Sequence, residues 1–173
     1  IDATTTVSGP QDRFGSINMG LTAENVAEKY GISRQEQDEY ALKSHQKALK
    51  AIDQGKFKEE IVPVEVPQPK GPPLLFDSDE SPRRDSSLER LAKLAPAFKE
   101  GGTVTPGNSC SMNDAAAVLA LMAVSRAKEL GLEVMAKIRS FATVGVDPRY
   151  MGLGPVPATA KALHKGGLEL KDI

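Results

Sequence analysis

A run of ten residues without a polar side chain, residues 115–124, constrains the fold of this chain more than any other feature. It is far short of the roughly 20 apolar residues that span a bilayer. Apolar on every side and rich in alanine, it predicts a central helix buried all round, whose small side chains let neighbouring backbone approach closely. Asn113 and Asp114 lead into it, the polar stretch 125–129 follows, and Gly131 closes it, so the helix dips inward and then surfaces. Such an element needs a core to enter. With 173 residues, 40% of them hydrophobic and 26% charged, the chain has enough material for one domain or a little more.

Charge and cysteine content exclude several classes. Twenty-two basic against 23 acidic side chains, net −1, form no concentrated basic field for nucleic acid or an anionic membrane. Cys110 is the one cysteine and has no partner within the chain, so packing rather than disulfides holds the fold, as suits a reducing compartment. The opening residues, Ile1-Asp2-Ala3-Thr4-Thr5-Thr6, have no starting Met, charged n-region or apolar h-region, and Ile173 follows directly on a helix and turn. The expectation is a piece cut from a longer protein.

Local signals alternate between helix and strand, which makes α/β the fold class. Thr22-Ala23-Glu24-Asn25 opens a short helix ended by Gly31; Ser33 and Glu36 form a capping box for a long helix. Ala41, His45, Ala48, Leu49 and Ile52 make its apolar face, and Gly55 stops it. Residues 61–66 predict an edge strand interrupted by Pro63. Six of the 12 prolines lie between Pro63 and Pro82, so residues 67–82 read as an extended surface loop. Ser86 and Glu89 form a second capping box, for a helix carrying Leu88, Leu91 and Leu94 that Pro96 stops. Residues 98–111 read mostly as loop. Residues 134–146 predict a strand, and residues 158–165 a helix stopped by Gly166-Gly167.

Candidate chemistry is sparse. Cys110 stands just before the apolar run, where amide donors favour a thiolate. A nucleophile needs a base, however, and neither His45 nor His164 is paired with it by spacing, so a packing or ligand-contact role is favoured. No metal-ligand spacing occurs. Gly152-Leu153-Gly154 is followed by Pro155 rather than by the spacing of a dinucleotide fingerprint, which makes it a structural turn. Asp77, Asp79 and Glu80 with Arg83 and Arg84 read as a solvated charge run, or as arginines that grip a phosphate.

Three blocks give these signals one explanation. The first is Met19-Gly20-Leu21-Thr22-Ala23-Glu24-Asn25-Val26-Ala27 with Tyr30-Gly31-Ile32-Ser33-Arg34 and Gln37-Asp38. The second joins Leu91-Ala92-Lys93-Leu94 and Pro96-Ala97-Phe98 to Gly102-Thr103-Val104-Thr105, Gly107-Asn108-Ser109 and Asn113-Asp114-Ala115-Ala116. The third is Met151-Gly152-Leu153-Gly154-Pro155-Val156-Pro157-Ala158. Together they span essentially the whole chain, which closely resembles the thiolases, the acyl-CoA C-acyltransferases.

The resemblance implies a thiolase-like α/β fold in which residues 1–111 are the loop domain over the active site, 112–133 the helix completing the N-terminal half, and 134–173 the start of the C-terminal half. In the family a cysteine takes an acyl group from 3-oxoacyl-CoA, the thiol of coenzyme A attacks, and a histidine and a second cysteine move protons. The segments that carry those groups are not in this chain, which is expected to bind rather than catalyse. Arg83 matches a position near the nucleotide of coenzyme A and is suited to bond phosphate; Arg90 falls on the adenine side; Pro106 and Cys110 match the loop along pantetheine. Met19, Phe98 and Met151 match apolar pocket residues, and thioethers suit a flexible acyl or pantetheine chain. No permanently bound cofactor is implied, coenzyme A being a substrate.

Departures from the family pattern are Cys110 where Ser is common, Ser111 and Ala116 where Gly is frequent, and Asn18 where biosynthetic members usually carry His, which tilts the reading to a degradative enzyme. Implied partners are acyl-CoA, coenzyme A, the remaining thiolase segments and further copies in a homodimer or homotetramer, in cytoplasm, peroxisome or mitochondrial matrix. Without those segments the apolar stretches are expected to promote association. The competing readings are a non-catalytic CoA-binding or oligomerisation module, and a related condensing or carrier-type protein sharing the fold.

Overall fold

A left-handed glycine, Gly31, begins the three-residue turn between the two helices that open the computed structural model, which describes residues 18–173. Helix α1, Met19–Tyr30, starts three residues before Thr22 because Asn18 caps it: its Oδ1 accepts the Gly20 N–H at 2.8 Å. Gly31, at φ +65°, ends it, and the Ile32 N–H turns back to the Ala27 carbonyl at 2.9 Å. Helix α2, Arg34–Asp53, opens on the expected capping box: Ser33 Oγ accepts the Glu36 N–H at 3.2 Å, and Glu36 Oε2 accepts the Ser33 N–H at 2.8 Å. Its apolar face, Ala41, His45, Ala48, Leu49 and Ile52, is half-buried throughout.

The chain divides into two compact units. The first, Ala27–Ser111, holds α2, strands β1 (Val64–Val66) and β2 (Leu74–Phe76), and the short helix α3 (Leu88–Ala92). The strands form an antiparallel hairpin with Val64 opposite Phe76 and Val66 opposite Leu74. The reading of 67–82 as plain loop is therefore corrected: Pro67, Pro69, Pro72 and Pro73 occupy the connection, and Leu74-Leu75-Phe76, which keep their amide donors, pair as a strand. The cap of α3 also moves by one residue. Ser87, not Ser86, accepts the Arg90 N–H, at 3.3 Å.

The second unit joins the stretch up to Val26 to Met112–Ile173. It contains α4 (Val124–Glu129), a 3-10 turn (Pro148–Leu153), α5 (Pro155–Gly166) and a final 3-10 turn (Leu170–Asp172). Proline at its first position starts α5 three residues before Ala158, since a missing N–H is harmless there. Gly167, at φ +63°, ends it. Ser140 Oγ donates to the Ala162 carbonyl at 2.7 Å and Lys161 Nζ to the Thr143 carbonyl at 3.1 Å, which lays residues 140–143 along α5. The Asn25 amide ties α1 to the 3-10 turn through the Arg149 carbonyl, at 3.1 Å.

Two expected core elements are overturned. Residues 115–123 are not helical, α4 begins only at Val124, and Val118 and Leu119 are 95% and 84% exposed. An all-round apolar helix is stabilised by all-round burial, and no described residue covers this one. Residues 134–146 form no strand; Ile138 and Phe141 are exposed, and a strand without a ladder partner has nothing to hold it. Among the described residues the buried apolar set is small, Ala27, Leu91, Val104 and Ala127, beside four buried polar side chains, Thr22, Glu24, Asp38 and Thr105.

The helix caps make acid stability predictable. Glu36 is held below its ordinary 4.5 by hydrogen bonds from Ser33, Asp53 below 3.8 by Arg84, and Glu89 below 4.5 by Ser87. A folded value lower than the unfolded one stabilises fully above the unfolded value and is lost as pH falls through the folded value. Urea unfolding is therefore expected to show a stability plateau above about pH 5 and a decline below pH 4.5, shallower in Glu36→Gln. Ser33→Ala is expected to lower stability by about 1 kcal/mol at pH 7.

Candidate functional site

Asp38 lies on the apolar stripe of α2, three residues before Ala41 and seven before His45, and is only 3% exposed. A carboxylate there is tolerated only if its oxygens are matched by donors. Arg34, one turn earlier, donates from Nε to Asp38 Oδ2 at 2.8 Å and from Nη2 to the Leu91 and Leu94 carbonyls at 2.6 and 3.0 Å, binding the end of α3 to α2. Asn108 Nδ2 donates to the other oxygen, Asp38 Oδ1, at 3.0 Å and to the Thr103 carbonyl at 3.0 Å. Asn108 Oδ1 accepts the Thr105 N–H at 2.8 Å. One carboxylate thus fixes two segments distant in sequence.

The loop 103–108 is closed by this network. Gln37 Nε2 donates to Thr103 Oγ1 at 2.9 Å, the Ala97 N–H to the Val104 carbonyl at 2.9 Å, and the Gly107 N–H to Oγ1 of the fully buried Thr105 at 3.2 Å. Gly107 is required by space: a Cβ would lie 2.5 Å from Leu94 Cδ1 and 2.6 Å from Leu91 Cδ2. The loop so fixed leads into the sequence-predicted contacts, with Pro106 on it and Cys110 just beyond, both exposed.

Arg83 is exposed; its backbone N–H donates to His45 Nδ1 at 3.3 Å, and its guanidinium pairs with no described residue. Arg84 is committed to Asp53 through two bonds, 3.2 and 2.6 Å, beside an open cleft lined by Gln46, Leu49, Lys50 and Gln54. Arg90 Nη1 donates to the backbone carbonyl and the carboxylate of Asp85, keeping Nε and Nη2 for other contacts. Phe98 is half-buried in the same unit. Met19, at the start of α1, and Met151, in the 3-10 turn, are 48% and 42% exposed in the second unit. Within the first unit, then, α2 anchors the backbone at Arg83 and the loop carrying Pro106.

Sequence reasoning left Asp38, Asn108, Thr105 and Gly107 without roles, although all but Thr105's burial had a visible signal. An acid on an apolar helical stripe requires a partner, and Asn and Gly in a turn are the residue types that supply one. Among the described residues no group of three His, Cys, Asp or Glu is placed to hold a metal, and no helix is long and apolar enough to cross a membrane.

The hub makes a prediction. Asp38→Ala leaves Arg34 and Asn108 without their shared acceptor and is expected to lower stability by about 2–3 kcal/mol. Gly107→Ala is expected to cost about 1–2 kcal/mol, because Leu91, 4% exposed, has little room to yield. Denaturant unfolding checks both values.

Comparison with known proteins extends the sequence resemblance. Residues 2–125 match the family model described as Thiolase, N-terminal domain, and residues 132–173 that described as Thiolase, C-terminal domain. An acetyl-CoA acetyltransferase of Pseudomonas aeruginosa is 54% identical over 165 residues, covering 95% of this chain and 42% of that protein. A probable acetyl-CoA acyltransferase of Staphylococcus aureus is 50% identical over 165 residues, with the same coverages. The crystal structure of the Bacillus anthracis acetyl-CoA acetyltransferase superposes with a TM-score of 0.84 at 48% identity, over 93% of this chain and 41% of that one. That of human mitochondrial 3-ketoacyl-CoA thiolase gives 0.78 at 40% identity, over 91% and 39%. The chain spans about 42% of the length of the curated relatives named here.

Proposed function

Because the chain belongs to the thiolase family, with matches to both its N-terminal and C-terminal domains, we propose that it is the coenzyme A and acyl-chain binding segment of an enzyme for CoA-dependent thiolysis of 3-oxoacyl-CoA, or the reverse condensation. The names of its relatives, acetyl-CoA acetyltransferase and 3-ketoacyl-CoA thiolase, support both directions. In this reading residues 1–111 form the loop domain, 112–133 complete the N-terminal half and 134–173 begin the C-terminal half. The nucleophilic cysteine and the histidine base belong to the remainder of the enzyme. Bacterial relatives favour the cytoplasm, and assembly into a homo-oligomer is part of the same reading.

The observation that carries the binding role is the contrast among three arginines. Arg84 and Arg90 are each held by a carboxylate, Asp53 and Asp85, whereas Arg83 keeps an exposed guanidinium with no described partner. A planar fork left open in this way suits bidentate bonding to a phosphate of the nucleotide. By the family resemblance, Pro106 on the fixed loop and Cys110 just beyond it would line the pantetheine arm and Arg90 the adenine side, while Met19, Phe98 and Met151 each match an apolar pocket position. The exposed thiol of Cys110 offers a weaker hydrogen bond than a hydroxyl, so contact along pantetheine is mainly by packing.

NMR titration of the chain with coenzyme A tests this reading, since chemical shifts report weak binding and its location together. The expected outcome is perturbation of Arg83 and of residues 105–110, with Arg83→Ala weakening the affinity about tenfold. Shifts that spare both regions at millimolar ligand would contradict it.

A further inference from the structure

We propose that His45 is a positioning residue for the Arg83 phosphate contact, clamping the backbone on the α2 side while the Arg84–Asp53 pair clamps the next residue. The proposal rests on the reading of Arg83 given above and adds a cause for its open guanidinium.

An imidazole lies on the apolar stripe of α2. His45 is half-buried, and its Nδ1 accepts the Arg83 N–H at 3.3 Å, so the ring is the tautomer with its proton on Nε2. That bond fixes the main chain of Arg83 without using its side chain. Eight residues along α2, about 12 Å, Asp53 takes the guanidinium of Arg84 through both carboxylate oxygens. The geometry does two things at once. It holds consecutive residues to two points of one rigid helix, and it satisfies Asp53, the acid of α2 within reach of this loop, with Arg84 rather than Arg83. Of Arg83, Arg84 and Arg90, Arg83 is left with a guanidinium that no described residue holds. His45 also lies seven residues from Asp38, on the same face of α2, so one helix face carries both the Arg83 anchor and the anchor of the loop bearing Pro106. The axial spacing of these two anchors is set by helix geometry, about 10.5 Å.

Fixing the backbone lowers the ordering cost of a phosphate contact, which belongs to affinity rather than to fold. The test titrates the full chain and its variants with coenzyme A and, separately, with pantetheine, which has no phosphate. His45→Leu removes the acceptor and is expected to weaken coenzyme A binding about threefold while leaving pantetheine binding unchanged. His45→Asn places an acceptor at the same δ position and is expected to restore the affinity. Equal coenzyme A affinity in His45→Leu and the parent overturns the proposal. So does an equal loss for coenzyme A and pantetheine, which would mark His45 as a general structural residue, or a failure of His45→Asn to recover what His45→Leu loses. If Arg83→Ala itself leaves coenzyme A binding unchanged, the reading of Arg83 fails and the proposal with it; if Arg83→Ala weakens binding and His45→Leu does not, the positioning role alone fails.

Discussion

The carboxylate of Asp38 is the interaction on which the first unit depends. It is almost wholly buried, so its charge is compatible with folding only while Arg34 and Asn108 hold both oxygens. Those two partners then reach the ends of the structure that matter: Arg34 the C-terminal carbonyls of α3, Asn108 the backbone of the 103–108 loop. With Leu91 and Val104 as the buried apolar residues of this region, burial alone is too limited to specify where the loop sits. Polar matching supplies the specificity. Removing the carboxylate leaves Arg34 and Asn108 only their backbone partners, so the ties from α2 to α3 and to the loop weaken together.

Much of the helical structure was legible in the sequence because caps and stops are local chemistry. Ser33 and Glu36 satisfy each other's amides, and Gly31, Gly55 and Gly167 supply positive φ where helices end. What failed was anything that needed a partner from far away. The run 115–124 has the composition of a buried element, but burial is a property of its surroundings, and Val118 and Leu119 stand exposed. The strand expected at 134–146 has no ladder partner for the same reason, whereas the unexpected β2 formed because β1 lay within reach through a short proline-rich connection. The opening residues, read as a cut end, lie outside the described part. The candidate site was legible only as a pattern of resemblance: the arginines and the Pro106 loop could be named, but not that Asp38 and His45 hold them.

Family membership gives the exposed apolar stretches a context. The chain matches both thiolase domains yet spans about 42% of its curated relatives, and its unburied apolar residues, from Val118 to Phe141, fall around the junction between the two matches. The unit Ala27–Ser111, by contrast, satisfies its buried polar groups internally, and the residues proposed to meet the nucleotide and pantetheine lie within it. A unit that orders itself through polar contacts keeps its own geometry however the apolar stretches are covered.

Amide hydrogen exchange tests the claim that the Asp38 hub makes α2 and the 103–108 loop one cooperative unit. The Thr105 and Ala97 amides, bonded to Asn108 Oδ1 and the Val104 carbonyl, are expected to exchange with the same protection as the central amides of α2 and to lose it together in Asp38→Ala. Rapid exchange at Thr105 beside a protected α2 would show that the loop opens on its own, and would contradict the account.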